Sequence, residues 1–576
     1  MIQLIRTHLK GYGAQAATGP VFMVLEVVCE MLMPLLMAQI VDTAIPAGDT
    51  AAIYRLGAMM VALALFSMFC GVMGAKLGIN ASQGFGANLR LALFEKIQGF
   101  SFADIDRFSS ASLITRTTND VNNMTMMLTM GLRIMVRAPV MLLVALVIAV
   151  RLNARLALVL VVVIPLMTVV IALIMRVGIK LFGLVQRRVD AINEVLQENL
   201  VAIRVVKAFV RRDHEKQKFQ KSNDELTDAF LRVGLRIVLI MPIMTICMNG
   251  ATVAVLYFGG KMVMGLEFDL GSLQAFISYI SQILMSVMMV AMSLLQLSRA
   301  QASARRIQEV LEAESDIQDA NGSAALPQAR GKVEFRDVSF RYATGTGDDV
   351  LAHIDLTVEP GQFVAIVGGT GVGKSSLVNL IPRFYDVTGG QVLLDGVDVR
   401  RYPLEELRSR IGMVLQNNVL FSGTVRENLL WGKPDATEEE LVRAAKDAQA
   451  YSFIMSLPQG FDTHLEQGGV NLSGGQKQRL CIARAMLRKP AVLILDDSTS
   501  AVDSATEAAI RRSFSENLKD TTVLIIAQRI SSVRYADKIV ILEDDHIAGE
   551  GTHDQLLADN AIYQEIYQSQ QEGVSE

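Results

Sequence analysis

Gly368-Gly369-Thr370-Gly371-Val372-Gly373-Lys374-Ser375-Ser376 decides the fold of the C-terminal half of this chain. An apolar strand, 363–367, runs into it, and a helix is expected to start at its end. A Gly-x4-Gly-Lys-Ser loop in that setting turns backbone N–H groups toward phosphate oxygens, and the helix start completes an anion site. Lys374 is placed for the terminal phosphates and Ser375 for Mg2+. A glycine-rich turn without a ligand is the bland alternative; the strand before and the helix after argue for a nucleotide.

Further apolar runs at 411–415, 492–495 and 523–526 alternate with turns and helical segments, the pattern of an α/β domain. The run at 492–495 ends in Asp496, a second candidate for holding Mg2+. This domain is expected over 332–576, behind a polar stretch at 314–331 that reads as a linker.

The residues before 314 have a different character. The chain of 576 residues is 51% hydrophobic and 19% charged, and 26 of its 29 Met lie before residue 313. The net charge of −4 gives no argument for a nucleic-acid surface. Cys29, Cys70, Cys247 and Cys481 form no Cys-x-x-Cys pair, and the six His lack metal-ligand spacing.

Uncharged runs at 56–75, 156–175, 237–260 and 270–298 are long enough to cross a bilayer, which takes about 20 residues. Two weaker segments, 21–41 and 138–150, bring the number to six. A cleaved leader is the competing reading of the N-terminus. The apolar stretch there runs too far and contains Glu26 and Glu30, so an uncleaved first span is expected, with the N-terminus in the cytoplasm.

The connections alternate between short and long. The long ones, 76–137 and 176–236, hold 20 Lys/Arg against 4 in the short ones, which places the long ones in the cytoplasm. Apolar residues at helical spacing, as in Ile192, Val195, Leu196, Leu200, Ile203, Val206 and Phe209, predict helices continuing past the membrane. Residues 1–313 are thus expected to be an all-α domain of six spans.

Glu26 and Glu30 sit one turn apart on one helix face. Intramembrane carboxylates are candidate substrate contacts, for a cation here; a water-filled cavity with no specific ligand is the alternative. Met285, Met288, Met289 and Met292 suit either a pliable apolar site or simple packing.

Between the phosphate loop and Asp496 stands Leu472-Ser473-Gly474-Gly475-Gln476. With those flanking motifs it resembles the signature of the ATP-binding cassette, and the whole chain resembles a half-size ABC exporter of the multidrug, lipid or peptide type. The smaller marks agree. Tyr342 resembles the aromatic residue that stacks on adenine. Gln416 resembles the Q-loop glutamine beside Mg2+. Ser500-Ala501-Val502-Asp503 resembles the D-loop. The stretch from Leu113 to Asp120 resembles the first coupling region, and Ile203 to Phe209 the approach to the second.

The resemblance implies a P-loop domain with a helical subdomain, ATP and Mg2+ as cofactors, and transport of a hydrophobic or amphipathic small molecule, lipid or peptide. It also implies head-to-tail pairing of two cassettes. Leu472 to Gln476 and Asp503 of one chain would then complete the ATP site of the other.

Three positions depart from the family pattern. Asp497 stands where a water-activating Glu is expected, one methylene shorter. Gln528 stands where a phosphate-contacting His is expected, and cannot take a positive charge. Gln467 stands where exporters place a Glu before the signature. Two changes at one hydrolytic centre, with an intact signature, point to a heterodimer with a second, non-identical half-transporter. A homodimer using Asp497 and Gln528, or a nucleotide-gated channel or regulatory subunit, stays open.

Overall fold

The computed structural model describes residues 1–319, 328–342, 347–497 and 502–575. Its contacts divide the chain into two units, Met1–Gln98 with Ala111–Ala313, and Gly99–Ser110 with Glu314–Glu576.

The first unit is helical. Among the described residues, six helices are long and apolar enough to cross a membrane: Gly13–Ala44, Thr50–Gln98, Ser110–Leu152, Ala154–Leu173, Pro242–Met264 and Leu270–Val290. Each contains or overlaps one of the six expected spans. Thr50–Gln98 runs for 49 residues, Ala154–Val201 for 48 and Leu270–Glu312 for 43. At about 1.5 Å per residue the first is roughly 74 Å long, against a hydrocarbon core of about 30 Å. The long connections are therefore largely helix, as their periodicity predicts.

The helix from Ala154 shows what its surfaces face. Leu158, Val161, Val162, Val169 and Leu173 are each more than half exposed, an apolar stripe suited to lipid. Leu156, Leu160 and Met167 on the other side are almost fully buried, in one core with Ala145, Val255 and Phe276. Tyr279 lies in that core with its hydroxyl donating to the Met31 carbonyl at 2.6 Å, which satisfies that buried donor.

Among the described residues the second unit carries twelve strands: β1 (Val333–Phe340), β2 (Leu351–Val358), β3 (Phe363–Gly368), β4 (Gly389–Leu394), β5 (Val397–Asp398), β6 (Ile411–Val414), β7 (Gly423–Thr424), β8 (His464–Leu465), β9 (Val492–Asp496), β10 (Thr522–Ile526), β11 (Lys538–Glu543) and β12 (His546–Gly551). The central sheet has the order β12-β11-β3-β10-β9-β6. The four runs read from the sequence are its neighbouring parallel strands β3, β10, β9 and β6. Both faces of these strands are covered, which is why they read as unbroken apolar runs. A second, antiparallel sheet, β2-β1-β4-β5, packs with β3 and the helix after the phosphate loop. Helices such as Glu438–Asp447 and Gly474–Leu487 pack in a second core with the other face of the central sheet, through Ala365, Val367, Leu493 and Leu495.

The short helix Phe102–Phe108 belongs to this second unit although the flanking chain belongs to the first. Its Phe102 ring lies 4.5 Å from Phe384, and the Tyr385 hydroxyl donates to Asp106 at 2.8 Å. Asp104 closes a capping box with Ser101 and accepts from Ser315 at 2.7 Å. Leu113 to Asp120, the stretch likened to the first coupling region, lies just downstream of this segment, at the start of the helical stretch Ser110–Leu152.

Candidate nucleotide site

The phosphate loop leaves β3 at Gly368, φ +157°, where a Cβ would meet the Leu542 carbonyl oxygen at 2.1 Å. Gly373, φ +89°, caps the helix Lys374–Asn379, and a Cβ there would stand 2.9 Å from the Val350 carbonyl oxygen. The glycines are thus required by close packing and by left-handed backbone. Between them lie Gly369, Thr370, Gly371 and Val372, and Ser375 and Ser376 open the helix.

Lys374 folds back over the loop. Its Nζ donates to the carbonyl oxygens of Gly368, at 3.0 Å, and of Gly369. Burial lowers its pKa, against the pull of Asp497 and Asp496. Bound phosphate would replace these carbonyls as acceptor for the ammonium. Tyr342 and Ser376 share a hydrogen bond of 2.8 Å between hydroxyls. The Tyr342 ring stands edge-on to Phe340 and Tyr385, beside a cavity of about 360 Å³.

Ser375 donates to Asp496 at 3.0 Å. Asp496 is 5% exposed, and burial raises its carboxyl pKa, with the Ser375 bond opposing. A hydroxyl and a buried carboxylate are the oxygen donors a hard cation takes. Among the described residues no group of three His, Cys, Asp or Glu is gathered to hold a metal. A cation at Ser375 and Asp496 would therefore draw its other ligands from water and phosphate oxygens, as Mg2+ does.

Asp497 follows in the left-handed region, φ 46°, which Asp tolerates better than most residues. Its backbone N–H donates to the Ile526 carbonyl at 3.1 Å. Gln528 Nε2 donates to Asp497 Oδ2 at 3.0 Å, and Gln416, on the loop after β6, also hydrogen-bonds this carboxylate. Burial raises the Asp497 pKa, opposed by Lys374, Gln416 and Arg529. The three residues singled out beside Mg2+ and water are thus brought together at one carboxylate.

The signature opens a helix. Leu472 is buried, and Ser473 caps Gly474–Leu487 through a capping box with Gln476: Ser473 Oγ accepts the Gln476 N–H at 3.4 Å, and Gln476 Oε1 accepts the Ser473 N–H at 2.9 Å. Ser473 and Gly474 face solvent, leaving first-turn N–H groups open to an anion. Asp503 caps Ser504–Asn517, and its bonds to Thr506 hold its pKa down. Ser500 and Ala501 of the D-loop stretch lie outside the described residues. Gln467 opens the short turn Gln467–Gly469 ahead of the signature.

In the first unit, Glu26 and Glu30 share one partner that sequence reading did not assign. Arg137 donates to Glu26 at 2.6 Å and to Glu30 at 2.7 Å. Gly71 makes room for them: a Cβ there would lie 3.0 Å from Glu26 Oε1. The visible signal was an Arg at the mouth of an apolar run, since a charge there needs a partner.

Two family models match the chain: ABC transporter transmembrane region over residues 17–287, and ABC transporter over residues 351–500. An uncharacterized ABC transporter ATP-binding protein of Bacillus subtilis is 39% identical over 569 residues, covering 99% of this chain and 98% of that one. A fatty acid ABC transporter ATP-binding/permease protein of Mycobacterium bovis is 36% identical, covering 90% and 82%. A bacterial Atm1-family ABC exporter, solved with ATP bound, shares the fold with a TM-score of 0.80 at 24% identity, covering 97% of this chain and 98% of that one.

Proposed function

This chain belongs to the ABC transporters, and on that premise we propose that it is the half of a heterodimeric exporter whose own pocket holds ATP but cleaves it poorly. It is a multi-pass membrane protein with a cytoplasmic ATP-binding domain, and an ATPase coupled to transport. The proposal concerns which site does the work.

The observation that carries it is the pair Asp497 and Gln528, hydrogen-bonded at 3.0 Å where a Glu and a His would activate water. The shorter carboxylate retracts the base, and displacement by about 1 Å costs on the order of 100-fold in rate. The binding residues remain: Lys374, Ser375, Tyr342 and the loop N–H groups are in place, and Ser375 and Asp496 beside Gln416 would hold Mg2+. The capped signature helix from Ser473 would close over the partner's phosphate loop, with Asp503 beside it, and serve hydrolysis there. ATP kept in this chain's pocket biases the cassettes toward their closed pairing while the partner site turns over.

The substrate class we assign is hydrophobic or amphipathic. The apolar, Met-rich spans support it, as does a relative named for fatty acids. Glu26 and Glu30 stay candidate contacts; with Arg137 between them the group carries one net negative charge, room for a single cationic centre.

The test is turnover in membranes containing the chain with the subunit that co-purifies. Replacing the partner's catalytic Glu should abolish ATP hydrolysis, whereas Asp497→Asn should leave most of it. Full turnover after loss of the partner's Glu, or vigorous hydrolysis by this chain alone, would sink the asymmetric assignment and favour a homodimer.

A further inference from the structure

The helix Ala561–Ser575 reaches the segment that carries Gln528. Tyr563 anchors that helix, fully buried, with its hydroxyl 2.8 Å from His553 Nδ1. Ile566 and Tyr567 pack on the same core as Ile530 and Val533. From this base Gln570 presents its carboxamide to the chain on both sides of Arg529. Its Nε2 donates to the Gln528 carbonyl at 2.7 Å, and its Oε1 accepts the Ile530 N–H at 2.8 Å.

Both backbone groups need such a partner. Ile530 opens the helix Ile530–Val533, so its N–H has no acceptor within the helix, and Arg529 supplies no side-chain cap. The Gln528 carbonyl lies between the end of β10 and that helix, outside any ladder. A carboxamide offers one donor and one acceptor side by side, which a carboxylate, an ammonium or a hydroxyl of this reach does not. The residue so gripped is the one whose side chain meets Asp497.

We propose that Gln570 is a positioning residue for the nucleotide site. By fixing the peptide groups on either side of Arg529 it directs the Gln528 side chain at Asp497 and at the terminal phosphate, and so governs how long ATP stays in this pocket. The inference rests on the reading of the pocket as one that retains ATP.

The experiment uses the full chain with its co-purifying subunit in nanodiscs. An azido-ATP is loaded with Mg2+, chased with unlabelled ATP and cross-linked by light at intervals; label on this chain is then counted. Gln570→Ala should speed loss of label about tenfold, the equivalent of one hydrogen bond at 1.4 kcal/mol, with initial labelling unchanged. Gln570→Glu, which keeps the acceptor and removes the donor, should speed it as much. Gln571→Ala, one position along the same helix, should leave it unchanged. In a Gln528→Ala background Gln570→Ala should add nothing, because its effect passes through that side chain. Release unchanged in Gln570→Ala overturns the inference. So does an effect that multiplies with that of Gln528→Ala, as a purely structural role would give. Analysis of the retained nucleotide separates the two readings: a diphosphate in this pocket defeats the weak-hydrolysis proposal, while the release ratios still judge Gln570.

Discussion

Arg137→Met removes the cation between Glu26 and Glu30 while keeping the volume of the side chain. The cost follows from the geometry. Two charge-assisted hydrogen bonds, of 2.6 and 2.7 Å, are lost, each worth about 1.5–3 kcal/mol when fully buried. The side chains are 29%, 15% and 37% exposed for Arg137, Glu26 and Glu30, so the Glu30 bond is screened and the Glu26 bond dominates. Glu26 Oε2 is already buried without a hydrogen-bond partner, so the arginine is the principal compensation for that carboxylate. Breaking a buried pair costs about 3–5 kcal/mol, and partial exposure puts this case near 3. At about 2–4 °C per kcal/mol, the apparent melting midpoint should fall by roughly 6–12 °C. The assay is a thiol-reactive dye on the purified protein, reading exposure of the buried free thiols Cys29 and Cys70 beside the cluster. Adding Glu26→Gln and Glu30→Gln to Arg137→Met should restore most of the loss, because neutral amides need no counter-ion. A midpoint within about 2 °C of the parent, or no restoration by the amides, would refute the reasoning.

Other expectations concern the cassette. Lys374→Ala should weaken ATP binding by about 100-fold, the loss of charge-assisted bonds to phosphate at about 3 kcal/mol, measurable by titration with a fluorescent ATP analogue; tenfold or less would contradict the role given to Lys374. Ser473→Ala removes a helix cap worth about 1 kcal/mol and should lower partner-site turnover far more than it lowers the melting midpoint; proportional losses would reduce Ser473 to a cap. Burial raises the pKa of Asp496 and Asp497 above the ordinary carboxylate value. Their contribution to stability is then complete below the unfolded pKa and lost as pH rises through the folded one, so nucleotide-free protein should lose it upward from about pH 4. Asp496→Asn should flatten that part of the midpoint-versus-pH curve, and an unaltered curve would count against it.

The parts legible in the sequence are those whose signal is local. β3, β6, β9 and β10 are each buried on both faces, so hydrophobicity alone marks them. The antiparallel sheet was not singled out: β1 alternates buried and exposed positions irregularly, with register shifts against both neighbours. Arg137 was visible at the mouth of an apolar run, but its partners lie 107 and 111 residues away, and no local pattern names them. Gln570 stands among polar residues near the C-terminus and looks like solvated surface; only the tertiary approach of its helix to Ile530 gives it two backbone partners. The segment Phe102–Phe108 was not singled out for a similar reason. Phe102 and Asp106 declare themselves only against Phe384 and Tyr385.

That docked segment has a practical meaning for anyone who isolates the ATP-binding half. A fragment cut at Glu314 leaves Phe102–Phe108 behind with the spans. The Phe384 ring then loses its Phe102 neighbour, and the Tyr385 phenol, whose pKa burial and Asp106 together push up, loses its acceptor. Ser315 likewise loses Asp104. Such a fragment is sticky at one aromatic notch and short of one native element. A peptide copying residues 99–110, added in trans, should improve its solubility by refilling that notch.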